Sequence, residues 1–209
     1  MTQRGLCHRC RRQPIDPLRG IRGLFFYKGP ISQSLRALKY QGVRELAPIL
    51  GRYLSAYIRD HALSIDYLIP VPLHSQRLAE RGFNQSELLA LEVTQTLGIP
   101  TQRAWLQRIR PTQPQAHLTR EQRLVNVAGA FAVTADASLQ GRTILLIDDV
   151  ATTGATLRAC AQALHAAGAS EIWALTVARA HIHTVRTTQQ PPLSAEEAFL
   201  LWDSARRHS

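Results

Sequence analysis

The chain has 209 residues, 45 % of them hydrophobic and 19 % charged, long enough to bury about 70 % of its unfolded surface in one self-sufficient core. No stretch approaches the ~20 apolar residues of a membrane span and no apolar signal region opens the chain, so a cytoplasmic protein is expected; three cysteines make no disulfide scaffold. Lys plus Arg number 25 against 15 acids, a net charge of +10, with Lys28 and Lys39 the only lysines; arginine's planar fork matches phosphate, so the balance points to anionic partners.

Residues 1–28 read as a basic, glycine-punctuated segment set apart from the core. In the first 30 residues Arg4, Arg9, Arg11, Arg12, Arg19, Arg22 and Lys28 are opposed by Asp16 alone, the footprint of a nucleic-acid or polyphosphate arm. Cys7-His8-Arg9-Cys10 has the spacing of half a zinc knuckle. A structural zinc needs four ligands, and the remaining cysteine, Cys160, falls in an expected core helix, so no tightly held zinc is expected.

Residues 29–185 read as the main domain. Ile31 to Tyr40 has apolar residues at helical spacing and stops at Gln41-Gly42. A longer helix follows, with Leu46, Ile49, Leu50, Tyr53, Leu54, Tyr57 and Ile58 on one side. Tyr67 to Pro72 reads as a short strand running into a proline-stiffened loop that continues to Ser86. Arg77, Arg81, Asn84 and Gln85 concentrate donors there, which suits an anion site. The same residues also suit a helix start capped by Asn84 or Ser86. Residues 101–131 are polar and arginine-rich (Arg103, Arg108, Arg110, Arg120, Arg123) and read as a long functional loop.

The densest chemistry lies in Ile144-Leu145-Leu146-Ile147-Asp148-Asp149-Val150-Ala151-Thr152-Thr153-Gly154-Ala155-Thr156. Four apolar residues in a row predict a parallel strand covered on both faces. Two carboxylates are expected where it ends, before a nest of small and hydroxyl residues that opens a helix from about Leu157 to Ala167. Backbone N–H groups at a helix N-terminus bind phosphate, and open parallel sheets bind ligands at that edge. Adjacent acids would repel a phosphate unless aimed elsewhere: at a vicinal ribose diol, or at a divalent cation. No Lys follows Gly154, which excludes a Walker loop. Glu171 to Arg179 is expected to be the next strand, and residues 186–209 a linker and a terminal helix opened by a capping box at Ser194–Glu197.

The run from Ile147 to Thr156 resembles the 5-phosphoribosyl diphosphate (PRPP) loop of type I phosphoribosyltransferases. With LRALKYQG (Leu35–Gly42), PVPLHSQRLAERGFNQSELL (Pro70–Leu89) and the pattern Gln115, Leu118, Arg123, Asn126, Phe131, it resembles the ComF/GntX family. The resemblance implies an α/β fold of the type I phosphoribosyltransferase kind, with a mostly parallel central sheet flanked by helices and a short remnant of an N-terminal zinc ribbon. It implies Asp148 and Asp149 on the ribose hydroxyls. Val150, Ala151, Thr152, Thr153, Gly154, Ala155 and Thr156 would surround the 5-phosphate, and Arg81, Asn84 and Gln85 would lie near the diphosphate. Asp148, Asp149, Arg81 and Arg123 would be the catalytic set. Magnesium would ride on the ligand's own oxygens, and Arg120 and Arg123 would come from a loop closing over the site.

Two functions follow as expectations. One is an enzyme that displaces diphosphate from PRPP with an acceptor the sequence does not identify. The other is a non-catalytic module that binds single-stranded DNA through Arg11, Arg12, Arg120 and Arg123. Family members are associated with DNA uptake, so other competence proteins are expected partners.

Overall fold

The computed structural model of the chain describes residues 16–111, 122 and 126–180. The tail at 186–209, Cys7, Cys10, Arg11, Arg12, Arg120 and Arg123 lie outside the described residues. In chain order the elements are β1 (Leu18–Phe26), α1 (Gly29–Tyr40), α2 (Leu46–Asp60), β2 (Tyr67–Pro70), α3 (Ser75–Arg81), α4 (Gln85–Leu97), β3 (Leu106–Arg108), β4 (Phe131–Val133), β5 (Thr143–Ala151), α5 (Ala155–Ala166) and β6 (Glu171–Arg179).

β1, β6, β5 and β2 form a parallel sheet in that order, while β3 and β4 pair as a separate antiparallel ribbon. Side chains alternate across the pleat, so the apolar run of β5 serves two cores. Ile144 and Leu146 pack with Leu157, Cys160 and Leu164 of α5 and with Leu106 and Phe131 of the ribbon. Leu145 and Ile147 pack on the other side with Leu35 and Leu38 of α1, Leu50 and Leu54 of α2, and Leu89 and Val93 of α4. Coverage on both faces is the reason the strand reads as unbroken hydrophobicity. Among the described residues no helix is long and apolar enough to cross a membrane.

Four local expectations need correcting. The boundary drawn after residue 28 does not divide the fold: β1 pairs with β6 from Leu18↔Ile172 to Phe26↔Arg179 and gives Leu18, Ile21, Leu24 and Phe25 to the two cores. Its glycines serve close approach: a Cβ on Gly23 would stand 2.8 Å from the Cβ of Arg179. The loop after β2 contains a helix of about two turns, α3, ended by Gly82 in the left-handed region. The 101–131 stretch carries both strands of the ribbon. Finally, β5 runs four residues past Ile147, so both aspartates lie inside the strand rather than beyond it.

Candidate functional site

β2 stops at Pro70, opposite Ile147, and Val71 N–H adds one more bond to the Ile147 carbonyl at 2.9 Å. β5 and β6 continue together, with Asp148 beside Thr176 and Val150 beside Ala178. From Asp148 onward β5 therefore has no strand on its β2 side, and a crevice opens at the carboxyl edge of the sheet. A small cavity there is lined by Asp148, Val150, Ala151, Thr152, Gly154 and Thr156.

Gly154 is the N-cap of α5 at φ +76°. A Cβ there would meet the ends of the Ile21 and Arg158 side chains at 2.5 and 2.8 Å, which can shift, so it is the left-handed conformation that favours glycine. The Ala155 N–H donates to Thr153 Oγ1 at 3.3 Å. Arg158, which the sequence reading passed over, donates to the Thr153 carbonyl at 3.0 Å and to Asp16 at 2.9 Å, tying the loop to the start of β1. The result is a preformed turn that presents the first N–H groups of a helix, together with its dipole, to the cavity.

The two acids are held differently. Asp148 lines the cavity; its Oδ1 accepts from Ser86 Oγ and from the Asp149 N–H, both at 2.9 Å. Asp149 is only 2 % exposed. Its Oδ1 accepts from Gln85 Nε2 at 3.2 Å and its Oδ2 is ion-paired with Lys39, from the last turn of α1. Gln85 accepts in turn from Arg81, whose guanidinium also lies over the Tyr40 ring at 5.5 Å. Asn84 caps α4, accepting from the Ser86 N–H at 3.0 Å, and donates to the Val71 carbonyl at 3.1 Å. Asn84 and Gln85 are thus buried and engaged by protein, and in this conformation they brace the acid pair and the β2 end without lining the cavity.

The surroundings set the charge states. Asp148 keeps some surface toward solvent, yet enough protein surrounds its carboxyl that burial, reinforced by the charge of Asp149, pushes its pKa up to about 7; Lys39 and the two hydrogen bonds oppose that rise. Burial acts to lower Lys39, but Asp149 and Asp148 outweigh it and the ammonium is held above its ordinary value. Burial and the neighbouring Arg77 depress Arg108 of β3, whose charge also feels Asp148. Cys160 sits fully buried in α5, where burial and Asp148 push the thiol up.

The structure thus brings Asp148, Asp149, Arg81, Asn84, Gln85 and the Thr152–Thr156 loop into one region, with Asp148 and the loop on the cavity itself. Lys39, Ser86, Arg108 and Arg158 complete it. The sequence reads Ser86 only as a cap, Lys39 only as part of a motif and Arg108 only as part of a basic stretch; their contacts with the acid pair are made across the fold.

A parallel sheet whose carboxyl edge carries an acid pair, a hydroxyl-and-glycine turn and a helix N-terminus defines a domain of the type I phosphoribosyltransferase fold. Residues 84–192 match the phosphoribosyl transferase domain family. The chain is 34 % identical over 176 residues to the DNA utilization protein YhgH of Salmonella typhimurium, covering 81 % of this chain and 76 % of that one. It is 32 % identical over 160 residues to competence protein F of Haemophilus influenzae, covering 74 % and 70 %. To competence protein ComFC of Bacillus subtilis it is 30 % identical over 148 residues, covering 70 % and 58 %. The chain belongs to the ComF family of competence and DNA-utilization proteins.

Proposed function

We propose that the crevice binds PRPP with magnesium, and that the chain transfers the phosphoribosyl group to an acceptor in the service of DNA uptake. One observation carries this reading: a carboxylate, Asp148, and the N-terminal turn of α5 line the same cavity. A ribose 5-phosphate needs both, an acceptor for its diol and N–H donors for its phosphate. Among the described residues no group of three His, Cys, Asp or Glu is placed to hold a metal alone. Magnesium would ride on the ligand's diphosphate and ribose oxygens and would supply neutralisation of charge on the leaving group. The acceptor's lone pair would attack the anomeric carbon as its bond to diphosphate breaks, the electron pair leaving with the diphosphate. Arg108, whose charge feels Asp148, is a described cation that could meet that growing charge, and one such group is worth about 3 kcal/mol of barrier. The names of the relatives support the DNA context.

Calorimetric titration tests the assignment. Asp148→Asn should weaken Mg–PRPP far more than inorganic phosphate, since the diol acceptor is altered while the turn survives. Equal PRPP affinity in wild type and variant would sink it.

A second reading, single-stranded DNA bound without catalysis, is favoured by the net charge of +10. Two described arginines of the basic stretch are already engaged: Arg103 with Glu87 at 2.7 Å, and Arg110 with the carbonyls of Asn126 and Ala128 at 3.2 and 2.6 Å. The reading therefore rests on Arg11, Arg12, Arg120 and Arg123. Affinity should fall with salt at a log–log slope of about −0.7 per phosphate neutralised, and neutralising Arg120 and Arg123 should reduce the slope by up to about 1.4. A salt-insensitive affinity removes it.

A further inference from the structure

We propose that Lys39 is a positioning residue of the crevice: it holds Asp149 inward, so that Asp148 is the one carboxylate of the pair left to meet a ribose diol. The proposal rests on the reading of the crevice as a phosphoribosyl site, and it gives the two acids different tasks.

Successive side chains on a strand point to opposite sides, so neighbours on β5 cannot both face one cavity without distortion. The structure shows the division. Asp148 lines the cavity and Asp149 does not. Both oxygens of Asp149 are taken, one by Gln85 and one by the Lys39 ammonium, whose side chain is itself 22 % exposed. Three elements, α1, β5 and α4, meet at this point, and Arg81 extends the chain of contacts through Gln85.

Charge explains why a cation is needed there. Two ionised carboxylates beside a phosphate-binding turn would repel the anion that the turn attracts. With Lys39 in place and both acids ionised, the three groups together carry a net charge of −1, and the inward acid does not face the ligand. Without Lys39 a carboxylate loses its counter-ion, and Asp149 is left to turn toward the crevice as a second anion beside Asp148. The groups that face Asp148 are Asp149 on its own strand, Lys39 on α1, Ser86 on α4, Arg108 on β3 and Cys160 on α5. Only the first two form the proposed pair, so variants at these two positions isolate it.

The test has two arms on the full chain. The first follows the ¹³C carboxyl resonance of Asp148 against pH, without ligand, in wild type, Lys39→Met, Lys39→Arg and Asp149→Asn. Lys39→Met should move the Asp148 midpoint to higher pH and Asp149→Asn to lower pH, while Lys39→Arg stays near wild type. Loss of a nearby charge produces these two shifts by itself, so the first arm establishes that both groups act on Asp148, and the positioning role is read from PRPP affinity in the second arm. If Lys39→Met fails to fold, Lys39→Gln is carried through the same titrations. The second arm titrates Mg–PRPP calorimetrically: Lys39→Met should weaken binding by about tenfold or more, and Lys39→Arg should recover most of it. Mg–PRPP binding by Lys39→Met as tight as by wild type overturns the role of Lys39 and leaves the phosphoribosyl site standing. Absence of wild-type PRPP binding overturns the phosphoribosyl reading itself, and with it the ligand assigned to Asp148.

Discussion

Replacing Asp148 with asparagine should stabilise the protein at neutral and alkaline pH while removing ligand binding. In the folded protein, burial and then Asp149 raise the carboxyl from its ordinary 3.8 to about 7. Between those values the folded state holds a proton that the unfolded chain releases, so its contribution to stability is full below about pH 4 and declines as pH rises toward 7. Ionising a group displaced that far costs roughly 4 kcal/mol at most, and the solvent contact that Asp148 retains reduces this to about 2–4 kcal/mol. Asparagine keeps an oxygen able to accept from Ser86 Oγ and the Asp149 N–H, so the hydrogen bonds survive while the charge is lost. Urea denaturation of both proteins at pH 5 and pH 8 reads the effect. The variant's advantage should grow with pH to about 2–4 kcal/mol, equivalent to about 4–16 °C in melting temperature. A variant less stable than wild type at pH 8, or an advantage independent of pH, would refute the reasoning.

Gly154→Ala should cost about 1–2 kcal/mol from left-handed strain at φ +76°, and should weaken inorganic phosphate as well as PRPP; urea melts and calorimetry check both. Asn84→Ala removes the cap of α4 and strands the Val71 carbonyl, for a loss of about 2–3 kcal/mol in the same melts. Cys160, fully buried with its thiol pushed up, should resist Ellman's reagent in a Cys7→Ser/Cys10→Ser background until denaturant is added; rapid labelling of the folded chain would contradict its placement.

Wherever one segment carried both its own periodicity and its own chemistry, the sequence was legible. The run from Ile144 to Thr156 announced a doubly covered strand, a turn and a helix, because those properties depend on neighbours in sequence. The helix at Leu46–Asp60 was readable from apolar spacing, and the start of the one at Gln85–Leu97 from its cap candidates Asn84 and Ser86. β1 was not, because an edge strand interrupted by arginine and glycine has no strong alternation, and its partner β6 lies about 150 residues away in sequence. α3 is too short for periodicity to register. Most consequential was the fate of Asp149: its partner Lys39 is 110 residues distant, and nothing local says that one of two adjacent acids turns inward. The pleat alone predicts that they part, but which side each takes depends on where β2 ends and what α1 and α4 bring there.

The most direct test of the central claim is an amide NMR titration of the wild-type chain with Mg–PRPP. The account predicts saturable shifts concentrated at Asp148 and the Thr152–Thr156 amides, with one ligand per chain and competition by ribose 5-phosphate. A folded protein whose Thr152–Thr156 amides do not respond to millimolar Mg–PRPP would contradict it.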